Sequence, residues 1–183
     1  MPNWCNNIMT ISHDDPAMMK KALEAWNSGK FLQTMIPCPQ PLIDTVAGSV
    51  GQMGDDPLVN YRVELHETQM ALNEKHFGHK DWYFWCVANW GTKWDIDGEK
   101  VELDGNIFTV QFDSAWSPPT GAYDKLCDMG YQIKAYYYEP GCDFCGEWIN
   151  GEEKIFSIRN APKRIDEMFC ISEWLEETGS DNT

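Results

Sequence analysis

Residues 104–119 read Asp-Gly-Asn-Ile-Phe-Thr-Val-Gln-Phe-Asp-Ser-Ala-Trp-Ser-Pro-Pro, and this stretch decides the fold class. Asp104-Gly105 is a tight-turn signal, because Gly accepts the positive φ that such turns demand. After the turn, Phe108, Val110, Phe112 and Trp116 fall on one face, and Thr109, Gln111 and Asp113 on the other. That period of two describes a strand with one apolar side. Pro118-Pro119 ends it and opens a helix running to Gly130. A second strand follows, with Ile133, Ala135, Tyr137 and Glu139 on one side and Lys134, Tyr136 and Tyr138 on the other. Asp97-Gly98 and Asn150-Gly151 repeat the hairpin signal, the latter pairing residues near 144–149 with those near 152–158.

Working outward, Cys5, Asn7, Met9 and Ile11 alternate with Asn6, Ile8, Thr10 and Ser12, a first strand. Asp14 or Asp15 then supplies an N-cap, with Pro16 at the first helical position. Met19, Leu23 and Trp26 follow at helical spacing, and Gly29 is the stop. Residues 36–57 are rich in Pro and Gly and read as a long loop. Helical spacing returns through Leu58, Tyr61, Leu65 and Leu72. A shorter helix from near Asp81 to Gly91 carries Trp82, Trp85, Cys86 and Asn89 on one face. A last helix opens at Pro162, with Ile165, Met168, Phe169, Ser172 and Leu175 as its core stripe.

Strands joined by tight turns, with helices between them, describe an α+β chain. The expectation is a ferredoxin-like antiparallel sheet built from two β-α-β units. Helices cover one face, and a helical insertion of about 36–91 follows the first helix. A single domain is expected over 1–178, with a disordered tail at 179–183.

Composition narrows function by exclusion. The chain has 183 residues and a formal net charge of −15, which disfavours direct binding to a nucleic-acid backbone or to anionic lipid. No apolar run is long enough to span a bilayer, and Met1-Pro2-Asn3-Trp4 lacks the basic and apolar regions of a signal peptide. Seven scattered cysteines, an odd number, read as reduced thiols of a cytoplasmic protein. Cys142-x-x-Cys145 and His76-x-x-His79 have zinc-like spacing. The Cys pair, however, sits where a strand begins, so its side chains diverge; neither metal nor cofactor is expected. Phosphate-cradling Gly-rich loops and the G-x-S-x-G elbow are absent from the sequence.

The chemistry-bearing set is Trp94, Asp95, Asp113, Trp116, Tyr138 and Glu139, each at or near an expected strand end. Carboxylates flanked by aromatics suit binding, or acid–base work on a sugar or nucleotide. The ordinary alternative is that the Trp residues are core and the carboxylates are turn caps. Trp94 and Trp116 are expected as buried neighbours on adjacent strands. Asp113 and Glu139 serve as an acid–base pair only if their strands place them on one side, and the parity count opposes this. Glu152, Glu153, Asp166, Glu167, Glu173, Glu176 and Glu177 are the candidates for a DNA-like acidic array.

Three segments carry a resemblance: Met1-Pro2-Asn3-Trp4-Cys5-Asn6-Asn7, Asn89-Trp90-Gly91-Thr92-Lys93-Trp94-Asp95, and Phe112-Asp113-Ser114-Ala115-Trp116-Ser117-Pro118-Pro119. With Tyr138-Glu139-Pro140-Gly141 and Phe144-Cys145-Gly146, the chain resembles the YubB-type ferredoxin-like domain family of phages and plasmids. The resemblance implies a ferredoxin-like topology and a mobile-element origin; it carries no catalytic residues across. Three functions follow in order: an accessory protein that binds a host or phage protein, an acidic DNA mimic that inhibits a nucleic-acid-binding or defence protein, and an enzyme using the strand-end cluster. An enzymatic role is the least favoured.

Overall fold

The computed structural model describes residues 3–179. The tail expected at 179–183 lies outside them except for Gly179, as do Met1 and Pro2 of the first motif. Chain order is β1 (Trp4–Ser12), α1 (Pro16–Asn27), α2 (Phe31–Met35), α3 (Gln40–Ile43), α4 (Pro57–Phe77), α5 (Trp82–Trp90), β2 (Ile107–Ala115), α6 (Thr120–Asp128), β3 (Gln132–Glu139), β4 (Phe144–Ile149), β5 (Glu152–Phe156), α7 (Lys163–Phe169) and α8 (Ile171–Gly179).

The strands form one sheet in the order β2-β1-β3-β4-β5, every neighbouring pair antiparallel. Because β1 is antiparallel to both its neighbours, β2 and β3 run parallel with β1 between them. The β2–α6–β3 unit is therefore a split β-α-β. The expected second β-α-β unit is not formed, because β1 and β2 are direct antiparallel neighbours joined through α1 and the helical insertion.

Strand alternation sorts the apolar residues as the sequence expects. Cys5, Met9 and Ile11 of β1, Phe108, Val110 and Phe112 of β2, and Ile133, Ala135 and Tyr137 of β3 enter one core with α1, α6 and the insertion. Trp26 is fully buried there and donates its ring N–H to the Glu99 carbonyl at 2.9 Å, so the indole keeps a polar partner. The helix cover on this face is the main core. The expected one-sided helix cover does not hold, because a smaller layer lies on the opposite face, where Tyr136, Tyr138 and Cys145 pack against Ile165 and Ile171 of α7 and α8.

Local signals are realised with three differences. Asp15 caps α1, accepting from the Ala17 N–H at 2.8 Å, and Asn150-Gly151 turns the β4–β5 hairpin with both φ angles positive. Asp97-Gly98, by contrast, makes no hairpin. Gly98 lies against Trp26 and the Gln111 carbonyl, where a side chain would collide. The last helix is two helices, because Cys170 adopts φ +51 and breaks the stripe after Phe169; Asp166 then accepts from the Ser172 N–H at 2.6 Å to start α8. The loop at 36–57 contains the short α3 and lies along α4. His66 Nε2 meets the Val46 carbonyl at 2.9 Å, Asn60 bonds both backbone groups of Gly54, and Asn73 donates to Thr45 and to the Lys80 carbonyl.

Candidate functional site

The second apolar layer covers β3 and β4 but stops short of β1 and β2, so one half of that sheet face stays open. Asn6 and Ile8 of β1 face Asp113 and Gln111 of β2 across this open half. Met168 and Phe169 at the end of α7 bound it on one side, and the segment 94–99 bounds it on the other. The resulting cleft has a volume of about 730 Å³.

Trp4 and Trp94 line the cleft, and Trp116 is joined to Trp94 through Lys93. Trp4, Trp94 and Trp116 remain 47%, 40% and 42% exposed, which overturns the expectation that the latter two are buried on adjacent strands. Trp94 lies in the segment after α5, and Trp116 lies just past β2. The Lys93 ammonium sits 3.7 Å from the Trp94 ring centroid and 4.2 Å from that of Trp116. Cation and ring quadrupoles attract each other in this arrangement. Trp4, the first residue of β1, stands 5.8 Å from Trp94 with the two rings tilted by 36°.

The motif segments hold this assembly in place. Gly91 ends α5 at φ +83, and a side chain there would meet the backbone of Thr120 and Gly121 at 3.0 Å. Ser117 donates its hydroxyl to the Gly91 carbonyl at 2.8 Å, and Thr92 donates to the Ala115 carbonyl at 3.2 Å. Trp116 adopts φ +69, an uncommon conformation for a bulky side chain, and donates its N–H to the Asn3 carbonyl at 2.9 Å. That turn lifts its indole out of the core face on which strand alternation alone would put it.

The six residues expected to act together divide by role. Asp113 lines the cleft and accepts from the Asn6 amide at 2.6 Å. Asp95 accepts from the backbone N–H groups of Leu32, Gln33 and Ile96 at 2.6, 3.0 and 2.9 Å, which satisfies the start of α2. Burial nevertheless pushes its carboxyl above the usual carboxylate range, outweighing those bonds. Tyr138 lies beneath Phe169 and Trp174, and burial raises its phenol to about 12. Glu139 is buried and accepts from the N–H groups of Gly141 and Cys142, capping the β3–β4 turn.

Asp113 and Glu139 are therefore no acid–base pair. Asn6 pairs with both Asp113 and Tyr138, so Glu139, one residue on, points to the opposite side of the sheet. Three of the seven candidates for an acidic array make local bonds: Asp166 serves α8, Glu153 accepts from the Tyr137 hydroxyl at 2.7 Å, and Glu167 pairs with Lys163 at 3.6 Å. Sequence reasoning missed Trp4 and Asn6 as members of the cleft and Lys93 as the cation against Trp94. The first motif named two of them, and the adjacency of Lys93 to Trp94 was the available signal for the third. Among the described residues, no group of three or more His, Cys, Asp or Glu is arranged to hold a metal. No helix among them is long and apolar enough to cross a membrane.

Residues 89–168 match the family model described as the ferredoxin-like domain in Api92-like protein. The match supports the α+β, ferredoxin-like reading of the fold, and all six sequence-selected residues lie within it. The crystal structure of the protein api92 from Yersinia pseudotuberculosis is similar at 12% identity, covering 88% of this chain and 100% of that one, with a TM-score of 0.40. No curated protein matches the chain.

Proposed function

We propose that this chain is an accessory binding module, and that its Trp-lined cleft receives a protein partner presenting basic side chains around an apolar anchor. The observation that carries this reading is a chain of three half-exposed tryptophans at the cleft, Trp94 and Trp116 sharing Lys93 and Trp4 packing on Trp94. Leaving apolar surface in water costs about 25 cal/mol per Å², so a cluster of this kind is expensive unless a partner covers it. Tryptophan is also the residue type most enriched among binding hot spots. Asp97, Glu99 and Asp113 bring negative charge to the same cleft, which favours a basic partner by electrostatic complementarity.

The YubB-type resemblance extends this reading to a phage- or plasmid-borne protein acting on a host or phage protein in the cytoplasm. Seven free cysteines agree with a reducing compartment. The module is taken to be one domain, with the 36–91 insertion as part of its core. An enzymatic reading has lost its acid–base pair, and no observation favours restoring it.

The test is affinity capture from a host lysate with the intact protein and with the Trp94→Ala and Asp113→Lys variants. A partner retained by the intact protein and lost by both variants, with capture falling as salt rises, is the expected result. Equal capture by all three proteins would remove the cleft from the interface.

A further inference from the structure

Helix α4 is apolar on two sides, and among the described residues only one of them is covered. Val59, Val63, His66, Met70, Asn73 and Phe77 recur at alternating steps of four and three and form its less exposed side, where the 41–54 loop lies. Leu58, Tyr61, Leu65, Thr68 and Leu72 recur at steps of three and four on another side. The four large members of this second stripe are 76%, 66%, 58% and 47% exposed in chain order. A stripe with a mean period of 3.5 residues is the seam of a two-stranded coiled coil.

We propose that this seam pairs with the same seam of a second copy of the chain, the two α4 helices running antiparallel. Two observations select that occupant. The first is self-complementarity. With Leu65 of one copy opposite Thr68 of the other, Tyr61 faces Leu72 and Leu58 faces Lys75, so every layer joins a larger to a smaller or more flexible side chain. A parallel pair would instead stack Tyr61 on Tyr61 and Thr68 on Thr68. The second observation is charge. The whole chain carries −15, but within α4 Glu64, Glu67 and Glu74 stand against Arg62 and Lys75, a formal charge of −1. Flanking the antiparallel seam, Arg62 meets Gln69 and Glu64 meets Ala71, so no like charges oppose. Two strongly acidic molecules meet there with less repulsion than their overall charge would impose elsewhere. The interface is isologous, each copy giving the same patch.

The helix is about 31 Å long at ~1.5 Å per residue, and with a width of ~10 Å it offers roughly 300 Å² in projection. That is small against the ~800 Å² per partner of a standard interface, so the association sits in the concentration range of a weak dimer. Sedimentation of the full chain from about 1 to 200 μM reads it directly. The expected result is a mass rising to twice that of the chain, with Leu65→Glu remaining monomeric at every concentration. Since Leu65 is exposed, its urea midpoint should match that of the unmodified chain, which separates lost pairing from lost folding. Mixing Leu65→Glu with Thr68→Lys should restore a dimer, because those positions face each other only in the antiparallel register. A monomeric unmodified chain at 200 μM, or a dimer that survives Leu65→Glu, overturns the seam. Failure of the mixture to pair overturns the antiparallel register.

Discussion

Two tryptophans separate the core from the cleft. Trp26 is buried with its ring N–H bonded, whereas Trp94 is half-exposed and held by Trp4 and Lys93. Truncating Trp26 to Ala should cost about 3–5 kcal/mol through the cavity it leaves. Trp94→Ala should cost about 1–2 kcal/mol, the scale of one aromatic and one cation–π contact. Urea midpoints check both, and equal losses would contradict the assignment. At this scale sequence reading was sound on strand parity, since the alternation Phe108, Val110, Phe112 already fixed where Asp113 points. It could not foresee the fate of Trp116, because the positive φ that turns its indole outward depends on the Asn3 carbonyl, remote in sequence. Nor could it see that Asp95 is occupied by the N–H groups of Leu32 and Gln33.

Helix α4 shows how an element can be legible while its orientation is not. Leu58, Tyr61, Leu65 and Leu72 signalled a helix correctly, yet they are its exposed side. Both stripes have the same spacing, so periodicity alone assigns neither to the interior. The α5–α6 junction offers a sharper test of element packing. Gly29 and Gly91 both end helices at positive φ, but only Gly91 has backbone within 4 Å of where a side chain would project. Gly29→Ala should cost about 1 kcal/mol, the left-handed penalty alone. Gly91→Ala should cost more, roughly 2–4 kcal/mol once strain against Thr120 and Gly121 is added. Thermal or urea unfolding of the two variants reads the difference. If they cost the same, the motif around Gly91 does not fix the Trp94 segment against the loop after β2.

For the whole molecule, the buried thiol and phenol on the two faces of the sheet set an alkaline limit. Burial raises Cys5 from its ordinary 9.0 to about 12, and Tyr138 from 10.0 to about 12. The folded state keeps these protons while the unfolded chain sheds them. Their stabilisation is thus complete below about pH 9 and is lost as pH climbs towards 12. Urea midpoints should fall steadily above pH 9, and a flat profile to pH 11 would contradict the burial of these groups. The antiparallel α+β class was legible here because tight turns and strand alternation are local signals. The order β2-β1-β3-β4-β5 was not, since it depends on which strand reaches β1 after a long helical insertion. The cleft arises from that order, because α7 and α8 shelter β3 and β4 and leave β1 and β2 open. Its role in binding is tested most directly by titrating a captured partner against the intact chain and Trp94→Ala, both verified as folded. A loss of affinity of at least about tenfold, or roughly 1.4 kcal/mol, is expected for a hot-spot tryptophan, and an affinity unchanged within twofold would contradict the cleft as the binding surface.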